Sequence, residues 1–402
     1  MKGVWSHVPE ADYDVTEDGS EAPRRRERKP PLNVAARRDV LKTVGAVVGA
    51  LTAARCGLLH AAPPLRTQHA RPDIETVAQV TAATAIGTPT LIVAGNAAPA
   101  RWASLIASSF SETLSTDSPI VLRKTGGQDG VTGANLFDSL ASADESGSAL
   151  LAPGAAILAA QAGDPRVHFD YQRWLPVLLS VSAPIAVGRV DFRRSLRTML
   201  KDRPVRVAVS APNGLELPTM LALTILSMRV IPVSGFGGAE AAIGALRRGE
   251  VDVVQLPADS AHPDLLQGLA ADGFEPLFAI TPTADPSVSI AQDFTTRYEA
   301  LRGHAPTHPL YPAFKATAAA ACVDMALVLP MLTPPAQAAR WRHAATLAAA
   351  QPEATAMAKN DGGRLIAGAD DASVYAALAP DLSAILALRR WLAEHGPSWR
   401  VG

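Results

Sequence analysis

Three carboxylates stand beside turns that follow apolar segments, where α/β proteins commonly place reactive groups. Asp129 lies in a glycine-rich segment, Glu216 follows a turn of small residues, and Asp259 follows a valine-rich segment, 251–254, that is predicted to be a strand. Two such acids could act as general acid and general base, which would make the chain an α/β enzyme. Glu216 has two further interpretations: it could bind the ammonium group of a ligand, or complement the dipole of the helix that it precedes.

A glycine pair at 235–237 is the sequence's best candidate for nucleotide binding. Gly235 and Gly237 lie between a predicted strand and a predicted helix, and Asp259 follows about 20 residues further on, as in a dinucleotide fingerprint. The sixth position of the motif is Glu240 and not glycine or alanine. A carboxylate there would crowd the helix against the strand and repel a pyrophosphate, so a nucleotide is disfavoured.

Other catalytic and metal-binding motifs are missing from the sequence. It has no Gly-x-Ser-x-Gly, Ser-x-x-Lys, His-Glu-x-x-His, Walker or Cys-x-x-Cys pattern. His304 and His308 are four residues apart, but prolines between and after them interrupt a shared helical face. The two cysteines, Cys56 and Cys322, are too few for a disulfide scaffold or a zinc site made of cysteines. We expect no cofactor and no metal, and surface or capping roles for the histidines.

These residues are positioned by strands and helices that alternate in two similar blocks. Apolar strands are predicted at 90–94, 120–122, 149–151, 205–209, 230–233 and 251–254, with helices between them. The C-terminal part is predicted to be mainly helical, with helices at 295–301, 316–329, 336–350 and 383–392, packed on the first block. A β-α-β-α-β order implies a mostly parallel sheet with helices on both faces. This order occurs twice, and the apolar segment 175–181 lies between the two blocks. The repetition predicts an α/β protein of two lobes.

The N-terminal region has the features of an export signal. Arg37 and Arg38 precede an uncharged segment, 43–54, whose 12 residues are too short for the ~20 that span a bilayer. Small residues typical of a signal-peptidase cleavage site follow this segment. Residues 1–62 are therefore interpreted as a leader with a cleavable signal peptide of the twin-arginine type. The alternatives are an irregular tail leading into an ordinary helix, or a lipid anchor at Cys56, which the arginine before it disfavours.

The overall composition excludes several classes of protein. The 402 residues are 48% apolar and 19% charged, which is typical of a folded chain with a sizeable core. With 37 basic and 38 acidic residues the net charge is −1, so general nucleic-acid binding is not expected. Aromatic residues, at 5%, leave few surfaces on which single-stranded bases could stack.

Several of these segments, taken in order, resemble one family of binding proteins. They are the glycine-rich segment 130–134, the strand at Leu150, the segment 174–177, the turn 210–214 and the stretch 232–252. In this order, between about residues 88 and 285, they are similar to the solute receptors of tripartite tricarboxylate transporters, the Bug family. The resemblance implies a monomeric, two-lobed periplasmic binding protein of the Venus-flytrap type, with two crossover strands as its hinge. It would close on a small carboxylated metabolite and deliver it to a membrane permease.

The resemblance and the predicted strand ends together imply a ligand site in the cleft between the lobes. Its residues would be Asn96, Ala97, Ala98, Arg101, Gly130, Gly133, Ala134, Ser210, Asn213, Gly214, Glu216, Gly237 and Gly238. Backbone amides at strand ends and helix starts would bind the carboxylate. The sequence departs from the family at Pro212, which removes one amide donor, and at Gly235, which replaces an aromatic residue. Arg101 could pair a second ligand carboxylate or be solvated, whereas Trp102 and Phe236 could line the cleft or pack the lobes.

The predicted organisation is therefore a leader at 1–62, a first lobe at 63–183, a second lobe at 184–281, and a return to the first lobe at 282–402. The leading hypothesis is a binding protein. An α/β enzyme using two of the three acids, and a receptor that serves a sensor in place of a permease, remain as alternatives.

Overall fold

The computed structural model describes residues 89–95, 98–114, 120–142, 147–189, 203–283 and 291–399. The chain divides into two compact units, Met1–Ala78 and Gln79–Gly402, and every described residue belongs to the second. The predicted leader, and the predicted site residues Asn96 and Ala97, lie outside the described residues.

Eleven strands and twelve helices make up the described part. The strands are β1 Thr90–Val93, β2 Val121–Lys124, β3 Ser148–Ala152, β4 Trp174–Ser182, β5 Ile185–Gly188, β6 Val205–Ala208, β7 Val230–Val233, β8 Val253–Leu256, β9 Glu275–Ala279, β10 Val323–Pro330 and β11 Gly363–Ala367. The helices are α1 Ala98–Thr113, α2 Val131–Ser142, α3 Gly154–Ala162, α4 Leu217–Ile225, α5 Ala239–Arg248, α6 Pro263–Ala271, α7 Phe294–Arg302, α8 Tyr311–Ala321, α9 Pro335–Ala349, α10 Pro352–Asn360, α11 Ala369–Ala376 and α12 Leu382–Trp399.

The strands form two sheets, one in each lobe. The first has the order β11-β4-β10-β3-β1-β2 and the second the order β7-β6-β8-β5-β9. β1 pairs in parallel with β2 and β3, and β6 pairs in parallel with β7 and β8. β10, β11 and β5 run antiparallel to their neighbours. The predicted α/β class with two helix-flanked sheets is confirmed, and each sheet is mixed because of these antiparallel strands.

Alternating side chains of the strands explain why helices cover both faces of the first sheet. Leu91 and Val93 of β1 pack into a cluster with α1, α9 and α10, whereas Ile92 packs into a cluster with α2, α3, α8 and α12. All five residues of β3 are buried. A strand that is buried on both faces has no polar side, which is why its sequence shows a continuous apolar run.

The C-terminal part contains strands as well as helices, which corrects the sequence interpretation. The helix predicted at 316–329 ends at Ala321, and residues Val323–Pro330 form β10 in the middle of the first sheet. A short, fully apolar run does not distinguish a buried strand from a buried helix, and no glycine or proline marks the boundary. Both β10 and β11 lie in the first sheet, to which the chain was predicted to return. No helix within the described ranges is long and apolar enough to span a membrane.

The two lobes are connected by crossovers and by helix packing. The first crossover, Ala183-Pro184, joins β4 to β5, and the second leaves β9 at Ile280. Ile280 N donates to Pro184 O over 2.8 Å, so the two crossovers are hydrogen-bonded to each other. Helix α4 of the second lobe packs against α8, and the two lobes share one apolar cluster along this side.

Candidate functional site

The loops after β6, β7 and β8 surround a cavity of about 330 Å³. Side chains and backbone from the second lobe form most of its wall, and Gln128, in the loop between β2 and α2, reaches it from the first lobe. Of the predicted site residues, Ser210, Glu216, Gly237 and Gly238 line this cavity. The turns after β6 and β7 therefore meet on one cavity at the interface of the lobes.

Glu216 and Ser210 form the polar centre of the cavity. Ser210 Oγ donates to Glu216 Oε2 over 2.8 Å. Glu216 is the N-cap residue of α4, yet its side chain makes no capping hydrogen bond. Burial raises the pKa of the Glu216 carboxyl, while the hydrogen bond from Ser210 opposes this shift. No basic residue lines the cavity, and Glu216 forms no ion pair with any residue that the structure describes.

Gln255 of β8 is a cavity residue that the sequence interpretation missed. Its Oε1 accepts from Thr219 Oγ1 over 2.6 Å, and its Nε2 donates to Leu215 O over 2.8 Å. These two bonds hold the amide in one orientation between β8 and α4. A single glutamine in an otherwise apolar strand was the sequence signal for this position.

The glycines around the cavity have different functions. A Cβ on Gly214 would collide with Ser210 Oγ and lie 2.9 Å from Glu216 Oε2, so glycine allows these two side chains to approach each other. A Cβ on Gly237 would have no atom within 4 Å and would extend into open space. Gly238 has a φ of +134°, which favours glycine, and it is the N-cap of α5 without a side-chain cap.

The predicted site residues of the glycine-rich segment 130–134 shape a turn and do not line the cavity. A Cβ on Gly130 would collide with Pro153, which follows β3, and one on Gly133 would collide with Thr125 and with Ala94, which follow β2 and β1, so both glycines allow a close approach to these strand ends. Ala134 is fully buried in the core. Asp129 accepts from Val131 N over 3.2 Å and forms an ion pair of 2.7 Å with Arg166.

Arg101, in the first turn of α1, is paired within the protein. Its Nη1 and Nη2 donate to the two oxygens of Asp361 over 3.2 and 3.1 Å, and Asp259 Oδ2 lies 4.0 Å from Nη2. An internal carboxylate therefore pairs with this guanidinium, and the binding of a ligand carboxylate by Arg101 stays a prediction. Trp102, the next residue, is fully buried and packs in the core.

Asn213 makes a contact between the lobes. Its Nδ2 donates to Asp164 Oδ2 over 3.2 Å. Asp164 is also paired with Arg166 over 2.6 Å, and these contacts lower the pKa of the Asp164 carboxyl. Of the three acids considered for catalysis, Asp129 pairs with Arg166, Asp259 lies near Arg101, and Glu216 alone of the three lines the cavity.

Asp324, at the start of β10, is a buried acid that the sequence interpretation missed. Its carboxylate accepts from Ser182 Oγ over 2.7 Å and from Ser180 Oγ over 3.2 Å. Burial, with a smaller contribution from the negative charges of Asp361 and Asp259, raises the pKa of Asp324 to about 7, although the hydrogen bonds from Ser182 and Ser180 oppose the shift. Within the described ranges, no three or more His, Cys, Asp or Glu residues are arranged to hold a metal ion.

Comparisons with known proteins bear on the fold. No family model matches the sequence, and no curated protein matches it. A TctC solute-binding protein from Polaromonas, solved without ligand, is 12% identical over 74% of this chain and 97% of that chain, with a TM-score of 0.50. MatC from Rhodopseudomonas palustris, with bound malate, is 19% identical over 78% of this chain and 97% of its own, with a TM-score of 0.46. The R. palustris protein Rpa4515, with adipate, is 16% identical over 77% and 96%, with a TM-score of 0.48. The chain has the two-lobed α/β fold of the TctC-type solute-binding proteins.

Proposed function

We propose that this chain is an extracytoplasmic solute receptor, a divergent member of the tripartite tricarboxylate receptor family. It captures a small metabolite that contains a carboxylate and delivers it to a membrane permease. The observation that carries the proposal is the cavity of about 330 Å³ between the loops of the two lobes, in a chain with a solute-receptor fold. A volume of this size suits a small metabolite.

The carboxylate of the ligand binds at the N-terminus of α5. Gly237, Gly238 and Ala239 line the cavity there, and no side chain caps the helix. The first amides of a helix lack partners within the helix, and the helix dipole places partial positive charge at this end. Together they form an anion site that needs no basic side chain. Glu240, in the same turn, is exposed, so solvent screens its charge from a single carboxylate, whereas the more highly charged pyrophosphate is disfavoured.

Glu216 selects the second polar group of the ligand. A second carboxylate would lie beside the Glu216 carboxylate in a cavity that, among the described residues, no basic side chain lines. An ammonium group, in contrast, would form a charge-assisted hydrogen bond with it. We therefore infer that α-amino acids or related amines are preferred over dicarboxylates.

Replacing Glu216 by glutamine tests this preference. Glu216→Gln is expected to weaken binding of an amine-containing ligand by about tenfold, roughly 1.4 kcal/mol, because the charge partner of the ammonium is lost. Binding of the matching monocarboxylate, which lacks the amine, is expected to change little. Calorimetry at pH 7 measures both affinities. Glu353→Gln, in the exposed first turn of α10 and remote from the cavity, is the matched control. An equal loss for both ligands, or no loss for either, would contradict the assignment.

A ligand screen separates the receptor from the alternatives. Amino acids, monocarboxylates and dicarboxylates are tested for thermal stabilisation of the purified chain, and each mixture is then analysed for products. Saturable stabilisation without turnover supports a receptor, whereas a product would support an α/β enzyme that uses Glu216. A receptor that serves a sensor would bind in the same way, and co-purification with a permease or a sensor protein distinguishes the two.

Export is part of the proposal and is tested at the leader. Replacing Arg37 and Arg38 by lysine is expected to abolish export, because the twin-arginine signal depends on both guanidinium groups. Fractionation of expressing cells compares the periplasmic protein of the variant and the unaltered chain. Unchanged periplasmic delivery would refute the twin-arginine assignment.

A further inference from the structure

A second cavity, of about 440 Å³, lies beside the two crossovers. It shares no lining residue with the cavity that contains Glu216. Val181 and Ser182, at the end of β4, form one side, and residues 281–283, after β9, form another. Side chains from α8, β11 and α11 complete the wall.

One buried hydroxyl in this wall lacks a partner. Thr281 is 3% exposed, and its Oγ1 has no hydrogen-bond partner among the described residues. Leaving a buried hydroxyl unpaired is unfavourable, so such a group usually has a water molecule or a ligand as its partner. Ser182, the other buried hydroxyl residue of the wall, donates to Asp324.

The rest of the cavity wall consists of apolar side chains and of two basic side chains. Val181, Ala319, Val374 and Ala377 supply apolar surface. Lys315, on the exposed side of α8, and Arg364 of β11 also line the cavity. An apolar cavity with a buried hydroxyl and basic side chains is complementary to a molecule that has an aliphatic tail and one negative charge.

We propose that this cavity is a second ligand site, which binds a short-chain aliphatic monocarboxylate. The tail lies against the alanine and valine side chains, the carboxylate pairs with Lys315, and the Thr281 hydroxyl hydrogen-bonds to the ligand. The site does not depend on the function assigned to the cleft.

Because this site lies beside the crossovers, its occupancy is coupled to the arrangement of the lobes. Ser182 N donates to Cys322 O, and Cys322 Sγ donates to Ile280 O, both over 2.9 Å. Ser182 and Cys322 also line the cavity. Movement of the lobes requires a change of the crossovers, so a ligand that contacts both chain segments favours one arrangement of the lobes.

Hexanoate is the probe for binding. Calorimetry on the full chain is expected to show saturable binding that Lys315→Met weakens at least tenfold. Thr281→Val removes the hydroxyl with little change of shape and is expected to weaken binding several-fold. Lys359→Met, on the exposed face of α10, is the matched control and is expected to bind as the unaltered chain does.

Two further measurements test the need for a negative charge and the location of the site. Hexanol, which lacks the charge, is expected to bind at least tenfold more weakly than hexanoate. Gly237→Trp, which fills the cavity that contains Glu216, is expected to leave hexanoate binding unchanged. Absence of saturable binding, loss of binding in Gly237→Trp, equal binding of hexanol, or full affinity in Lys315→Met would each overturn the proposal. Full affinity in Thr281→Val would mean that only water pairs with the hydroxyl, and would also overturn it.

Spin labels test the coupling to the lobes. Cysteines at Ser139 of α2 and Gln267 of α6 place one label on each lobe, in a chain that carries Cys56→Ser. Cys322 is kept, because it is buried and its Sγ hydrogen-bonds to the second crossover. Hexanoate is expected to shift or narrow the distribution of distances between the labels. An identical distribution with and without hexanoate would overturn the coupling.

Discussion

Replacing Gly237 by tryptophan is expected to reduce the affinity of the cleft for its ligand by about a hundredfold or more, roughly 3 kcal/mol. A Cβ at this position meets no atom within 4 Å, and Gly237 does not need the left-handed backbone that favours glycine. The indole can therefore enter the cavity of about 330 Å³ and exclude the ligand without straining the chain. The compound that stabilises the unaltered chain most in the screen is the ligand for calorimetry.

The neighbouring glycines show why this position gives the clearest test. Gly235 and Gly238 have φ values of +109° and +134°, so a side chain at either position would strain the backbone. A side chain on Gly214 would separate Ser210 from Glu216. A substitution at any of these three glycines would therefore change the stability of the chain as well as its binding, and the two effects could not be separated.

Gly268→Trp is the matched control for Gly237→Trp. A Cβ on Gly268 of α6 also meets no atom within 4 Å, and this residue does not line the cavity. Affinity is expected to stay within about twofold of the unaltered value, a difference of roughly 0.4 kcal/mol. If Gly237→Trp bound the ligand as tightly as this control does, the ligand site would lie elsewhere.

Replacing Asp324 by asparagine is expected to stabilise the protein at pH 8 but not at pH 4. The pKa of this carboxyl is raised from 3.8 to about 7 in the folded chain, mainly by burial. The favourable contribution of the neutral carboxyl to the free energy of unfolding is therefore fully present below pH 3.8 and is lost as the pH rises to about 7. Asparagine stays neutral over this whole range, so the variant does not lose this contribution.

The size of this effect follows from the two pKa values. The interval between 3.8 and about 7 corresponds to at most roughly 4 kcal/mol of unfolding free energy. Urea unfolding at pH 4, 5.5, 7 and 8 measures the difference between Asp324→Asn and the unaltered chain. This difference is expected to grow between pH 4 and 7 and to be constant above. Asp272→Asn, at an exposed ion pair with Arg247, is the control without this rise. A difference that did not depend on pH would contradict the assignment.

Short-range sequence patterns were sufficient to predict most of the strands and the turns that surround the candidate cavity. Ser210 and Glu216 are six residues apart, and one turn brings them together. Gly237 and Gly238 follow the adjacent strand β7, so the parallel pairing of β6 and β7 brings both turns to the same cavity. These positions were predictable because strand order and the direction of parallel strands follow from the β-α-β pattern.

Contacts between distant parts of the chain were not predictable in this way. Arg101 and Asp361 are separated by 260 residues, and nothing near Arg101 indicated that an internal carboxylate would occupy its guanidinium. Asp324 lay in a segment that had been interpreted as a helix, so its position between two serines of β4 could not be foreseen. Gln255 gave a sequence signal, but its hydrogen-bond partners on α4 and the preceding turn became evident only in three dimensions.

The amino-acid sequence by itself determined the α/β class, the two repeated blocks and the glycine-rich turns, because these depend on local periodicity and local backbone preference. Only the tertiary structure decided that Arg101 is paired internally, that Glu216 has no basic partner among the described residues of its cavity, and that a second cavity lies beside the crossovers. The charge and the space available to a ligand depend on side chains from segments that are distant in the sequence. Local sequence patterns do not predict which of these side chains come into contact.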